Sequence, residues 1–281
     1  MTARPRPRFR CLEYRFTVEA RDAALQERIA YAYSACREPS HIGAGEDGDA
    51  ATIVIRNEAA CRPYCIDVDG RTIGSAPTAD DVVELFAWYV NRASVERSGD
   101  RYLILHAAAV ATGGRGVVIA GASGSGKSTL AAALVARGAS YLGDEATGLD
   151  PERRVLVSNP KPLGLDAAGR SALSSSVAAT KDRDSFPLVA PAAIGAWVPA
   201  GTTVTPALVV QPEFERESSL EVSDLREIDI AGLLADQSFN FAKWGAQGLE
   251  LVAALARECH GIRVVFGDVS DAGACVEALG V

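Results

Sequence analysis

Apolar and polar positions change rhythm near residue 98. Before it, short apolar bursts stand between polar stretches. Residues 52–55 (TIVI) and 64–68 (YCIDV) read as strands. Asp69-Gly70 after the second is a hairpin signal, so residues 71–73 are expected to pair back. Thr78, with Asp81 three positions on, makes a capping-box-like helix start with acids in its first turn. Val82, Val83, Phe86 and Val90 give that helix one apolar face, to about residue 92. Ser98-Gly99-Asp100 is the expected joint between two parts, residues 1–98 and 99–281.

Beyond the joint the apolar runs lengthen. Residues 102–110 and 116–120 predict strands on either side of a Gly-rich turn at 112–116, hence antiparallel neighbours. A helix rich in Ala and Leu is expected from Lys127 to about Arg137, with Gly138 as its C-cap. Residues 140–142 form a short strand ending in Gly143-Asp144-Glu145. A further strand pair is read at 155–157 and 206–210, a helix near 248–259 and a last strand at 262–266. Between them, residues 166–201 are Ser/Ala-rich (Ser171, Ser174, Ser175, Ser176) and end in a loop punctuated by Pro187, Pro191 and Pro199. No internal repeat is visible.

Composition narrows the class. The 281 residues are 48% hydrophobic and 23% charged, which is globular and excludes disorder and fibre. A net charge of −8 lacks the broad basic surface of nucleic-acid binding. No apolar stretch approaches the roughly 18 residues of a membrane span, and no signal peptide is read at the N-terminus. The six scattered cysteines fit reduced thiols, so a cytoplasmic location is expected. Cys61 and Cys65 are either a metal clip or plain loop or strand thiols. The four arginines within the first ten residues read as a disordered arm, or one that attracts an acidic peptide.

The strongest chemical signal is Gly121-Ala122-Ser123-Gly124-Ser125-Gly126-Lys127-Ser128, which fits G-x-x-x-x-G-K-[ST] at every defined position, between an apolar strand and a helix. The glycines permit a tight loop whose N–H groups converge on phosphate oxygens, and the helix N-terminus adds its positive end. Lys127 is expected to reach the β- and γ-phosphates and the Ser128 hydroxyl to hold Mg²⁺. Asp144 follows Lys127 by seventeen residues, one helix and one strand further on. In a parallel sheet that strand end lies beside the loop. Asp144 and Glu145 then face the phosphates, one holding Mg²⁺ and the other taking a proton from an acceptor hydroxyl; the alternative is an ordinary Gly-Asp surface turn.

Residues 102–149 resemble the catalytic core of the HPr kinase/phosphorylase family. The likeness lies in the GASGSGKS loop, the Ala-Leu-Val-Ala-Arg-Gly helix end, the strand leading to two adjacent acids, and a Leu-His-Ala-Ala start that puts His106 fifteen residues before Gly121. The wider group includes kinases of lasso-peptide and other ribosomal-peptide pathways. The resemblance implies an α/β fold: a P-loop, phosphoenolpyruvate-carboxykinase-like/HPr-kinase-like mixed sheet over 99–281. Residues 1–98 lie outside the resemblance and are expected, from their own pattern, to form a small α+β domain for acceptor or partner recognition. The resemblance implies Asp144 as the acid/base on the acceptor hydroxyl. Glu145 stands where the family has a second Asp, and Thr129 where it has a Glu.

Other candidates are less specific. His106 is either a phosphate or acceptor contact or a hydrogen-bonded core residue. Lys161, rigidly held between Pro160 and Pro162, either aims an ammonium at the transferred phosphate or is solvated. Arg263 is a weaker candidate for the same task, and His41 and His260 read as surface residues. The expected function is ATP- and Mg²⁺-dependent transfer of the γ-phosphate to a Ser/Thr-like hydroxyl of a peptide, small protein or metabolite. A homo-oligomer is compatible with it; nucleic acid and membrane are not expected partners. The rivals are a non-catalytic nucleotide-gated binding module, which needs no base at 144, and a simple ATPase, which needs a water-positioning residue the sequence does not reveal.

Overall fold

The computed structural model describes residues 7–39, 50–57, 63–173 and 188–279. Cys61, Ser174 to Ser176, Pro187 and His41 lie outside them. The first sheet is built from β1 (Arg8–Cys11), β2 (Tyr14–Ala20), β3 (Ala51–Arg56), β4 (Tyr64–Val68) and β5 (Arg71–Ala76), in that spatial order. All pairings are antiparallel except β2–β3, which α1 (Ala23–Ala32) connects as a crossover. β1 and β2 alternate strictly, with Phe9, Cys11, Tyr14, Phe16, Val18 and Ala20 inward. Arg8 and Arg10 therefore belong to a strand and not to a loose arm, and Arg10 donates to Leu12 O at 2.6 Å. The β4–β5 turn is the expected hairpin, with Asp69 and Gly70 at φ 49° and 80°.

α2 (Ala79–Ser98) lies on this sheet through Val82, Val83, Phe86 and Val90. Thr78 caps it by accepting from Asp81 N at 3.1 Å. The helix continues past residue 92 because Ala93, Ser94 and Ser98 extend the buried stripe with small side chains that carry no hydrophobic signal. Phe9, Phe16, Tyr33 and Phe86 form an aromatic centre with ring spacings of 5.4–6.4 Å.

The second sheet contains β6 (Leu103–Leu105), β7 (Ala107–Thr112), β8 (Arg115–Ala120), β9 (Ser140–Gly143), β10 (Thr147–Asp150), β11 (Val155–Val157), β14 (Thr203–Phe214), β15 (Glu221–Asp224) and β16 (His260–Phe266). A two-stranded ladder of β12 (Leu163–Gly164) and β13 (Leu188–Val189) stands apart. The single strand expected at 102–110 breaks at His106, whose N–H bonds Gln237 O instead of a neighbouring strand. β7 and β8 form the predicted antiparallel hairpin. β14 is the axis: parallel to β8 on one side and to β16 on the other, antiparallel to β11 at its start. It begins before residue 206, at a register shift that accommodates Pro206.

Helices cover both faces of this sheet, which is why its strands read as continuous apolar runs. On one face α3 (Lys127–Ala136) and α7 (Val269–Ala278) bring Leu130, Leu134 and Val276 against Val117, Ile119, Leu208 and Val264. On the other, α5 (Glu227–Asp236) and α6 (Phe241–Glu258, broken at Gly245) bring Leu234, Val252 and Leu255 against Val118, Ala120 and Val209. α4 (Ala167–Ala172) follows β12. The fold is thus mixed α/β. The two sheets meet where Leu12 packs with Tyr102, Ile104, Ala146 and Val157, and where Glu13 accepts from Tyr102 Oη and Arg101 Nη1, each at 3.0 Å. No helix among the described residues is long and apolar enough to cross a membrane.

Candidate active site

The loop leaves the C-terminal end of β8 and enters α3 through Gly126 at φ 95°. A Cβ there would lie 2.9 Å from the Phe266 ring, so glycine is required on two counts, conformation and space. Asp22, Thr78, Asp166 and Asp268 cap their helices with side-chain oxygens, whereas α3 has no side-chain cap. Its first-turn N–H groups are left for a ligand. Lys127, only 7% exposed, folds back to donate to Gly121 O (2.8 Å) and Ala122 O (2.9 Å). Burial holds its pKa below the usual ammonium value. Ser125 Oγ is buried with no partner.

The acids arrive by a route different from simple parallel adjacency. β9 is antiparallel to β7, which is antiparallel to β8, so β8 and β9 point the same way with one strand between them. Their ends converge, and Asp144 and Glu145 reach the loop. Asp144 is 1% exposed. Its Oδ1 accepts from Glu145 N at 2.9 Å, and its Oδ2 has no hydrogen-bond partner among the described residues; the Ser128 hydroxyl is close enough to favour the charged carboxylate. Burial raises its pKa; Lys161 opposes that and the Glu145 carboxylate adds to it. Glu145 sits at φ 61° at the centre of a tight turn closed by Ala146 N to Asp144 O at 2.8 Å. Below the turn, Asn159 Nδ2 donates to Ala146 O at 3.0 Å.

Lys161 is buried, and its Nζ donates to Glu145 Oε2 at 3.0 Å. Burial works against its charge, but Glu145 and Asp144 more than offset it and raise its pKa; Lys161 in turn holds Glu145 below the ordinary carboxylate range. His106 packs on Phe239 at 5.4 Å, and burial, then the Lys127 charge, push its pKa down.

A cavity of about 570 Å³ gathers Ser123, Gly124, Gly126, Lys127, Ser128 and Thr129 with His106, Asp144 and Glu145. The remaining loop residues, Gly121, Ala122 and Ser125, do not line it. Lys161 lines instead a second cavity, of about 520 Å³, on the far side of Glu145. Arg263 lines neither: its guanidinium pairs with Glu213 on the surface. His260 is at the surface as expected, but pairs with Asp224 at 2.9 Å. The lining of the first cavity also contains Phe214 and Phe266, 5.8 Å apart, and Asp268. No motif spacing pointed to these.

The donor set suits Mg²⁺ held partly by substrate. Among the described residues no three His, Cys, Asp or Glu side chains form a metal cluster. A buried carboxylate oxygen without a partner, beside a serine hydroxyl, matches a magnesium ion that takes one or two carboxylates and completes its shell with phosphates and water.

No protein-family model matches the chain, and no curated protein sequence matches it. Among solved structures, the HPr(Ser) kinase/phosphatase from Coxiella burnetii aligns over 63% of this chain and 92% of its own, at 14% identity and a TM-score of 0.34. At that identity the chemistry of this chain has to be read from its own residues.

Proposed function

We propose that the chain is an ATP-dependent phosphotransferase acting on a hydroxyl of a peptide, small protein or small metabolite. The observation that carries this reading is one cavity holding both a phosphate-binding loop and a buried carboxylate with an unpartnered oxygen. In this account the loop N–H groups and Lys127 bind the β- and γ-phosphates, Lys127 exchanging its loop carbonyls for phosphate oxygens. Ser128 and Glu145 hold Mg²⁺, whose charge offsets that of the phosphates. The acceptor oxygen bonds the γ-phosphorus as the bond to the β,γ-bridging oxygen breaks. ADP departs, and the hydroxyl proton passes to Asp144, whose raised pKa suits a base better than that of an exposed acid. Residues 1–98 would then act as the recognition domain and 99–281 as the kinase domain.

The two cavity linings favour a second assignment: Asp144 shares the first cavity with Ser128 and would share the metal, and Glu145, which also lines the second cavity, would meet the acceptor. Asp144→Asn decides between them. As the base, its loss lowers transfer by roughly 10²–10⁴-fold whatever the magnesium concentration; as a metal ligand, its defect is eased by added magnesium. Glu145→Gln gives the opposite pattern. The assay is phosphoryl incorporation detected by mass spectrometry. Wild-type transfer rates in Asp144→Asn would remove both roles for Asp144; no phosphoryl incorporation by the wild-type protein would remove the kinase reading and leave a nucleotide-gated binding module.

A further inference from the structure

The second cavity contains none of the glycine-rich loop residues, yet shares a wall with the cavity that does. Both are lined by His106, Glu145, Gly164, Leu165 and Asp166. The opposite wall comes from the other sheet's helix: Glu84, Ala87, Trp88 and Asn91 of α2. These four fall at helical spacing on one stripe, clear of the stripe that packs on the first sheet. Trp88 is 57% exposed and Phe239, which also lines the cavity, 48%. Large aromatics at such exposure in one cleft mark a surface suited to an apolar group. At about 520 Å³ the space falls within the range of ligand clefts.

The charge of the walls selects the occupant. Glu84 makes no ion pair with any described residue, and Asp166 serves only as the α4 cap. Lys161 is neutralised by Glu145, and His106, buried beside Lys127, is disfavoured as a cation. Among its described lining residues the cavity is therefore left with the two negative charges of Glu84 and Asp166 and no free positive one; Arg92, 5.6 Å from the Trp88 ring, pairs with Glu96.

We infer that this cavity is the acceptor site, and that it takes a hydroxyl-bearing peptide segment with a basic residue near its Ser or Thr. An apolar side chain of the segment packs on Trp88 and Phe239, its basic group faces Glu84 and Asp166, and its hydroxyl reaches past the shared wall at Glu145 toward Asp144 in the first cavity. This rests on the phosphotransfer reading above.

The test uses the full chain labelled with 5-fluorotryptophan, the Trp88 resonance being assigned by Trp88→Phe. Two pools of heptapeptides are titrated, each with a central serine and apolar neighbours, one carrying Arg and the other Glu at the remaining positions. The Arg pool is expected to shift the Trp88 signal saturably and to bind about tenfold tighter than the Glu pool, as two partly exposed charge pairs allow. Glu84→Lys, checked for folding by its melting curve, should abolish most of that preference. Equal response to both pools, no response to either, or an unchanged preference in Glu84→Lys overturns the assignment. So does a Trp88 shift given equally by free arginine, which would make this a metabolite site. Binding at Trp88 without a phosphoryl adduct under Mg-ATP would sink the kinase reading alone; an adduct without any Trp88 response would sink the cavity assignment alone.

Discussion

Replacing Lys161 with Met should destabilise the fold in a way that depends on pH and on Asp144. The ammonium lies between two carboxylates, one buried and one with its side chain 49% exposed. Breaking a fully buried pair costs roughly 3–5 kcal/mol. Glu145 is half in water, so about 2–3 kcal/mol is expected here, or a melting temperature lower by roughly 5–10 °C for a chain of this size. Without Lys161 the largest influence opposing the upward shift of the Asp144 pKa is gone, so the folded protein holds that proton more tightly than the unfolded chain. The deficit should therefore be small near pH 4, grow as pH rises above the unfolded carboxylate value of about 3.9, and be complete above the raised folded value. Adding Asp144→Asn removes one of the two repelling charges and should recover about 1 kcal/mol at pH 7. Urea unfolding of the four proteins at pH 4.5 and 7 gives the cycle. A loss under about 0.5 kcal/mol for Lys161→Met, or a double variant no more stable than Lys161→Met, would refute the electrostatic account.

Lys127→Ala should weaken Mg-ATP binding in isothermal titration, since the lysine neutralises phosphate charge in a shielded cleft; equal affinities would remove the nucleotide claim. Gly126→Ala places a Cβ at φ 95° against Phe266, and about 1–2 kcal/mol of stability should be lost in thermal melts even without nucleotide. The acidic limb of the pH–rate profile should lie above the ordinary aspartate value because Asp144 is buried, and Lys161→Met should move that limb further up.

Local grammar made the loop and the α3 boundaries legible in the sequence: a defined motif, a glycine C-cap, and apolar runs too continuous for a half-exposed sheet. The same grammar was present in residues 8–20, where R-F-R-C and Y-R-F-T-V-E-A alternate with period two, but the density of arginine masked it. Other features have no local signature. His106 divides a run that looks like one strand because its N–H is taken by Gln237, far along the chain. Lys161 between two prolines suggested a cation aimed at phosphate, whereas its partner is Glu145, a pairing only tertiary structure can reveal. The direction of β9 depends on the strand inserted beside it, so the convergence of Asp144 on the loop was foreseen from the wrong sheet geometry.

α2 separates its two duties around its circumference. Val82, Val83, Phe86 and Val90 hold the helix to the sheet, while Glu84, Ala87, Trp88 and Asn91 form a wall of the second cavity. Substitutions on the second stripe leave the first untouched and cost little stability. With the second cavity as the proposed acceptor site, the chain can therefore diverge in what it recognises while its glycine-rich loop and acids stay fixed. A library randomised at those four positions would change specificity within a folded background, and natural variants of this architecture are expected to differ most there.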